Sequence, residues 1–306
     1  MRRRMMIMGI GAWLSAIGAW LWGAELKPGR DYVVVADHGP AGPYCAFPDV
    51  CRLPDGRLCC VFYSGVKLGH VTTTMQRKGG GAIAYTVSAD EGRTWSKPAS
   101  LLDTQEDVRD HGLSVLRDGR IILSYFRLFT APMAGDGVYL TEAVIPEAKG
   151  SGLCKKPRKL QHDAGTGGPM RDFGDGLLMQ GTYHFDQPYV VRSADNGATW
   201  QVFAIPNGGH HLDAETDLIR LANGRFYAVL RGQKCNGHWS ESLDGKEWTV
   251  AKDIGFPLHC PQLHRIGHTI LLAHRLPNTA LHWSVDECRT WRGPIKVDSV
   301  GGAYPG

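Results

Sequence analysis

The chain of 306 residues has no Cys-x-x-Cys pair and no His-Glu-x-x-His run, so the usual sequence signs of a zinc site are missing. It carries little charge: 21% of residues are Asp, Glu, Lys or Arg, against 43% hydrophobic. That balance excludes a disordered chain and leaves enough apolar material for a large core. A basic excess is also lacking, because Arg2, Arg3 and Arg4 account for all but one unit of the formal charge of +4. The remainder therefore has no nucleic-acid footprint. Lys155, Lys156, Arg158 and Lys159 form a basic cluster, but Pro157 interrupts it and it reads as a solvated loop. Beyond Ala24 no stretch shows the apolar period of an amphipathic helix.

The N-terminus stands apart. Met5 to Ala24 contain no charge and follow three arginines, the pattern of an export signal. Residues 1–24 read as a leader with a cleavage edge at Trp22-Gly23-Ala24, or as an uncleaved anchor, and residues 25–306 as one domain. The expected location is secreted or periplasmic. Eight cysteines in an exported chain permit disulfides, but no pairing can be deduced. His210, His211, Asp213 and Glu215 are metal-ligand types, yet a strand edge with pocket-facing polar groups explains them better. The triple glycine Gly79 to Gly81 lacks the strand-loop-helix setting of a nucleotide site. No metal and no organic cofactor is expected.

Two interleaved repeats set the architecture. Ser88-Ala-Asp-Glu-Gly-Arg-Thr-Trp95 and Ser193-Ala-Asp-Asn-Gly-Ala-Thr-Trp200 fit SxDxGxTW fully; Ser242 to Trp248 is one residue short, and Ser284 to Trp291 has Cys288 in place of glycine. An Asp at a turn accepts the following amides, glycine takes a positive φ, and Trp buries a large face. These aspartates are turn-makers and receive no chemistry. Between them run Leu53-Pro-Asp-Gly-Arg-Leu58, Leu116-Arg-Asp-Gly-Arg-Ile121, Phe173-Gly-Asp-Gly-Leu177 and Leu221-Ala-Asn-Gly-Arg-Phe226, each a hairpin signal followed by a strand. Inner strands starting near Pro48, Gly112, Pro169, Glu215, Pro261 and Tyr304 recur at intervals of about 43 to 64 residues, which is propeller spacing. The expectation is an all-β, six-bladed β-propeller with five blades complete and the sixth only begun at Gly306, closed by an outer strand from Asp31 to Ala36.

The SxDxGxTW repeats resemble the Asp boxes, or BNR repeats, of the sialidase superfamily, over nearly all of residues 31 to 306. Glu215 to Arg231 resembles the sialidase blade that bears the glutamate activating the nucleophile and one arginine of the carboxylate-binding triad. Gly302-Ala-Tyr304-Pro resembles the opening of the last blade, where the family places its tyrosine nucleophile, and Leu272-Ala-His274-Arg275 lies near a second triad arginine. The resemblance implies an exo-glycosidase acting on sialic acid or a related acidic sugar, with Tyr304 and Glu215 catalytic and Arg231 and Arg275 gripping the carboxylate.

Two departures bear on this. Tyr44-Cys45-Ala46-Phe47-Pro48 has Ala46 where the first triad arginine is expected. The loop from Ser64 to Gly81, where the family carries its acid/base aspartate, has no acidic residue. Asp110 is the substitute acid/base candidate, and Arg127, His274 and His70 are further substrate-binding candidates. A sialidase-fold glycosidase on another sugar and a noncatalytic glycan-binding propeller are the alternatives. The expected partner is a glycan. Nucleic acid is not expected, nor a membrane unless the leader is retained, and the chain is expected to be a monomer.

Overall fold

The computed structural model describes residues 5–7, 33–66, 81–104, 106–128, 135–147, 150–212 and 215–297. Among the described residues there is no helix, and five antiparallel sheets follow one another along the chain. Blade one holds Tyr44–Arg52, Leu58–Gly65, Ala82–Ser88 and Ala99–Leu102. In blade two Asp107–Val115, Ile121–Leu128 and Gly135–Val144 are followed by Leu153–Cys154 and Arg158–His162, both paired with the third strand. Blade three opens with the interrupted pair Gly165–Thr166 and Arg171–Asp172, then Leu178–His184, Gln187–Ser193 and Gln201–Ala204. Blade four is Thr216–Arg220, Phe226–Leu230, His238–Ser242 and Lys252–Asp253; blade five is His259–Ile266, Thr269–Arg275, Ala280–Ser284 and Arg292–Lys296.

The turn chemistry read from sequence is what folds these sheets. In the first Asp-Gly hairpin Leu53 N donates to Arg57 O at 2.8 Å and Gly56 takes φ 89, which costs glycine little. The SxDxGxTW turns close the third strand onto the fourth. Where the fourth copy has Cys288 instead of glycine, that cysteine adopts φ 63 and its amide still donates to Ser284 Oγ at 2.9 Å, so the hydrogen-bond pattern overrides the residue's preference. All eight cysteines are free thiols.

Apolar faces then pack blade on blade. Val61, Ile83 and Cys59 of blade one meet Val108, Leu123 and Tyr125 of blade two. Met179 and Val190 of blade three meet Leu218, Phe226 and Trp248 of blade four, and Tyr227 and Val229 of blade four meet Leu263 and Leu272 of blade five. Each large side chain so buried contributes about 1.5–3 kcal/mol. Carboxylates clasp the first strands together: Asp49 Oδ2 accepts Leu113 N of blade two at 2.7 Å, and Asp217 Oδ2 accepts Leu263 N of blade five at 2.6 Å. Arg171 of blade three donates through Nε to Asp217 Oδ1 at 2.8 Å, linking a third blade to the same carboxylate.

The six-bladed expectation is overturned: among the described residues the propeller has five blades. Val33–Ala36, expected to close a sixth, instead pairs with Met5–Ile7. Val35 and Ala36 bury against Cys45, Cys60, Phe62 and Ala84 of blade one. The apolar side of that strand is thus satisfied by an existing sheet. The expected sixth start rests on the interval to Tyr304 and on the resemblance of Gly302-Ala-Tyr304-Pro to a last-blade opening; Tyr304 lies outside the described residues, as does the leader apart from Met5–Ile7.

Candidate active site

Three of the five first strands break their ladder in the same way. The register shifts between Ala46 and Asp49 in blade one, between Arg109 and Gly112 in blade two, and between His259 and Gln262 in blade five. The first residue of each bulge is left-handed: Phe47 at φ 53, Asp110 at φ 41 and Cys260 at φ 49. A bulge releases a side chain from the strict alternation of a strand and re-aims it. Here the re-aimed groups converge: Phe47, Asp110 and Cys260, with His111, Gly167 and Glu215, line one narrow cleft to which all five blades contribute. Left-handed backbone at non-glycine residues costs about 1–3 kcal/mol each, so the ring holds this arrangement against local preference.

Glu215 precedes the first strand of blade four and is buried at 5% exposure. Its Oε2 accepts Arg231 Nη1 at 2.9 Å and Cys260 N at 3.0 Å, and Arg275 Nη2 lies 3.5 Å from Oε1. Arg231 is placed by its own hairpin, since its amide donates to Glu215 O at 3.0 Å. Arg275 ends the second strand of blade five, opposite His259. Gly167 makes room: a Cβ there would stand 2.5 Å from Glu215 Cγ.

Asp110 shares the cleft. Its Oδ1 is buried and makes no hydrogen bond. Burial pushes its carboxyl up to about 7, Glu215 adds to that, and Arg109, Arg275 and Arg231 oppose it. A carboxyl in this range carries its proton near neutrality and can donate it. His111 is driven down to about 4 by burial, and His259 to about 4 by burial and then by the Arg231 charge, so both rings are neutral. Behind Asp110, the fully buried Arg109 donates through Nε to Asp107 Oδ2 at 2.6 Å, and Asp107 also accepts Tyr63 Oη at 3.1 Å.

The structure therefore brings together Glu215, Asp110, Arg231 and Arg275. It places Arg127 elsewhere, between Glu106 at 3.1 Å and Asp136 at 3.4 Å and over the Tyr139 ring at 3.9 Å. His274 turns into the sheet packing, with Nε2 2.8 Å from His282 Nδ1; both rings lie against Phe256, and burial lowers both. His70 and Tyr304 lie outside the described residues. Sequence reasoning missed Cys260 and His259. A signal existed in Pro48 and Pro261, since proline inside a strand pattern marks a bulge or an edge.

No family model matches the chain, and no curated protein matches it in sequence. Solved structures do. A protein of unknown function from Dyadobacter fermentans superposes with a TM-score of 0.69 at 17% identity, covering 85% of this chain and 84% of that one. The NanB sialidase of Streptococcus pneumoniae gives 0.66 at 13% identity over 86% of this chain and 63% of its own. The fold is sialidase-like. The intramolecular trans-sialidase of Ruminococcus gnavus shares it at 0.63 and 12% identity, covering 86% of this chain and 87% of that one. The chain spans less than two thirds of the NanB chain. Within this sialidase-like ring the position of Ala46 is apolar throughout: Ala46 is buried with Phe47 and Tyr63, and Tyr44 packs beside them.

Proposed function

We propose that the chain is a glycoside hydrolase of sialidase type that removes a terminal acidic sugar from a glycan. One observation carries the reading: Glu215, gripped by Arg231 and Arg275, faces the same axial cleft as Asp110, whose carboxyl burial holds near a neutral pKa. The two guanidiniums would take the sugar's carboxylate by charge-assisted hydrogen bonds. Asp110 would protonate the leaving oxygen as the glycosidic bond breaks, and Glu215 would draw the proton from the attacking phenol. That phenol is assigned to Tyr304; a neutral nucleophile avoids the repulsion that an anionic one would meet beside the substrate's carboxylate. The scheme calls for neither metal nor organic cofactor. An exported, monomeric protein with a glycan as its partner, led by residues 1–24, belongs to the same proposal.

The test is release of 4-methylumbelliferone from its N-acetylneuraminic acid glycoside by the full chain, compared with Glu215→Gln and Tyr304→Phe. Each variant is expected to lose about 10²- to 10⁴-fold in kcat. Wild-type turnover that survives both substitutions removes the assignment. A second reading, a glycosidase of the same fold acting on a different sugar, draws on the apolar packing of Ala46, Phe47 and Tyr63, which supplies no guanidinium for a carboxylate at that position. Turnover of another terminal sugar with no turnover of the sialoside would select it. Binding without turnover of either would make the chain a glycan-binding module.

A further inference from the structure

Phe185 and Asp186 form a two-residue loop between the second and third strands of blade three, since His184 and Gln187 are register partners. Phe185 has φ 50, a conformation that glycine takes readily at the first position of such a hairpin and a bulky residue takes only under strain. At 76% exposure it is also the most exposed large hydrophobic side chain among the described residues. Strain and an unburied aromatic face thus coincide in one residue. The ring meets the edge of His184, with centroids 4.4 Å apart.

A continuous polar path leads from this loop to the axial cleft. Asp186 Oδ2 lies 2.8 Å from His211 Nδ1, and Asn207 Nδ2 donates to Asp186 O at 3.1 Å. Gln233 N donates to His211 O at 2.8 Å, and Gln233 Oε1 accepts Arg231 Nη2 at 3.1 Å. Arg231 in turn holds Glu215. The shelf and the cleft therefore lie on one rim, joined through the arginine assigned to the terminal sugar.

We propose that this shelf is a second saccharide subsite, with Phe185 as its stacking platform. It takes the neutral sugar that follows the terminal acidic one, and so rests on the reading of the cleft as a glycan site. An aromatic face accepts the C–H face of a pyranose, and a few convergent polar groups fix its orientation. His211, Asn207 and Gln233 supply such groups, and the pairing of Asp186 with His211 makes the shelf a poor place for a second anion. The strained turn is explained as the means of standing the ring clear of the sheet.

The test is calorimetric titration of the full chain with free N-acetylneuraminic acid and with hydrolysis-resistant, sulfur-linked sialyllactose. Phe185→Gly is expected to weaken the trisaccharide by about 3- to 10-fold and to leave the monosaccharide unchanged. Its melting temperature should be equal to or above that of the wild type, because glycine relieves the turn. Phe185→Trp, which keeps a stacking face, should hold the trisaccharide affinity. An equal loss on both ligands, or no loss on the trisaccharide, overturns the subsite. If the wild type binds neither ligand, the sialoside reading fails. The same ratio is then measured on whichever acidic monosaccharide and matching oligosaccharide the chain binds from a panel, and it decides the subsite independently. A chain that binds no saccharide overturns both.

Discussion

At the turns joining third strands to fourth, Asp90, Asp195 and Asp286 sit on one face of the ring; at the first-strand bulges, Asp110 sits on the other. The turn aspartates are saturated. Asp90 Oδ1 accepts Ser88 Oγ at 2.8 Å and Thr94 N at 2.9 Å, and Oδ2 accepts Thr94 Oγ1 at 2.6 Å. The threonine hydroxyl and then its amide hold the carboxyl at about 2, as they do for Asp195 and Asp286. Asp110 has one oxygen buried without a hydrogen bond and a carboxyl raised to about 7. A carboxylate whose acceptor sites are filled locally has no capacity left for a ligand; one left short of partners does. Residue type is the same on both faces, and what differs is saturation.

The contrast is broken most sharply at Asp110. Asp110→Asn should lower kcat by about 10²- to 10⁴-fold, and wild-type activity should fall as pH rises through about 7, where the carboxyl loses its proton. The same carboxyl opposes folding. Its folded pKa is above the unfolded one, so the destabilisation is absent below about pH 4 and grows as pH rises toward 7. Asp110→Asn should therefore raise the melting temperature at pH 8 and leave it unchanged at pH 4. A variant that is inactive and also less stable at pH 8 would make Asp110 a structural residue.

Two residues along the strand from Glu215, Asp217 sharpens the comparison within the site face itself. It too takes an arginine and a blade-five amide, but it is 2% exposed and its partners fill both oxygens. Asp217→Ala strands Arg171 and the Leu263 amide, and should cost about 3–5 kcal/mol in urea unfolding while leaving kcat per folded molecule intact. A loss of kcat with unchanged stability would reverse the roles given to these two carboxylates. The smallest effect is expected on the opposite face. Asp195→Ala should lower the melting temperature slightly at neutral pH, and the difference should narrow as pH falls below about 4 toward 2, where the native carboxylate is itself protonated. Turnover should not change.

Five blades could be read in the sequence because their turns are local devices: Asp-Gly and Asn-Gly hairpins and SxDxGxTW tips depend on neighbours within a few residues. Glu215 and Arg231 were legible through the resemblance of residues 215 to 231 to one sialidase blade, and the structure sets them at the two ends of one hairpin. Asp110 was legible as an acid at a strand start, but its bulge was not, because no proline follows it as Pro48 follows Phe47 and Pro261 follows Cys260. Arg127, a substrate-binding candidate in the sequence, is held instead by Glu106, Asp136 and Tyr139 of its own blade. His274 followed the apolar side of its strand, alongside Ile270 and Leu272, into the sheet packing. The count of six failed where an interval and a short resemblance stood in for a sheet.

The clasps from Asp49 to Leu113 and from Asp217 to Leu263 bear on how such a ring drifts over generations. In each, the receiving blade contributes only a peptide N–H, which every residue except proline possesses. The carboxylate must be kept for such a clasp, while the residue that offers the N–H can change its side chain within what the packing of the seam allows. Joints of this kind let an architecture outlast its wording, in accord with a shared shape at 12% identity to one solved relative and 17% to another.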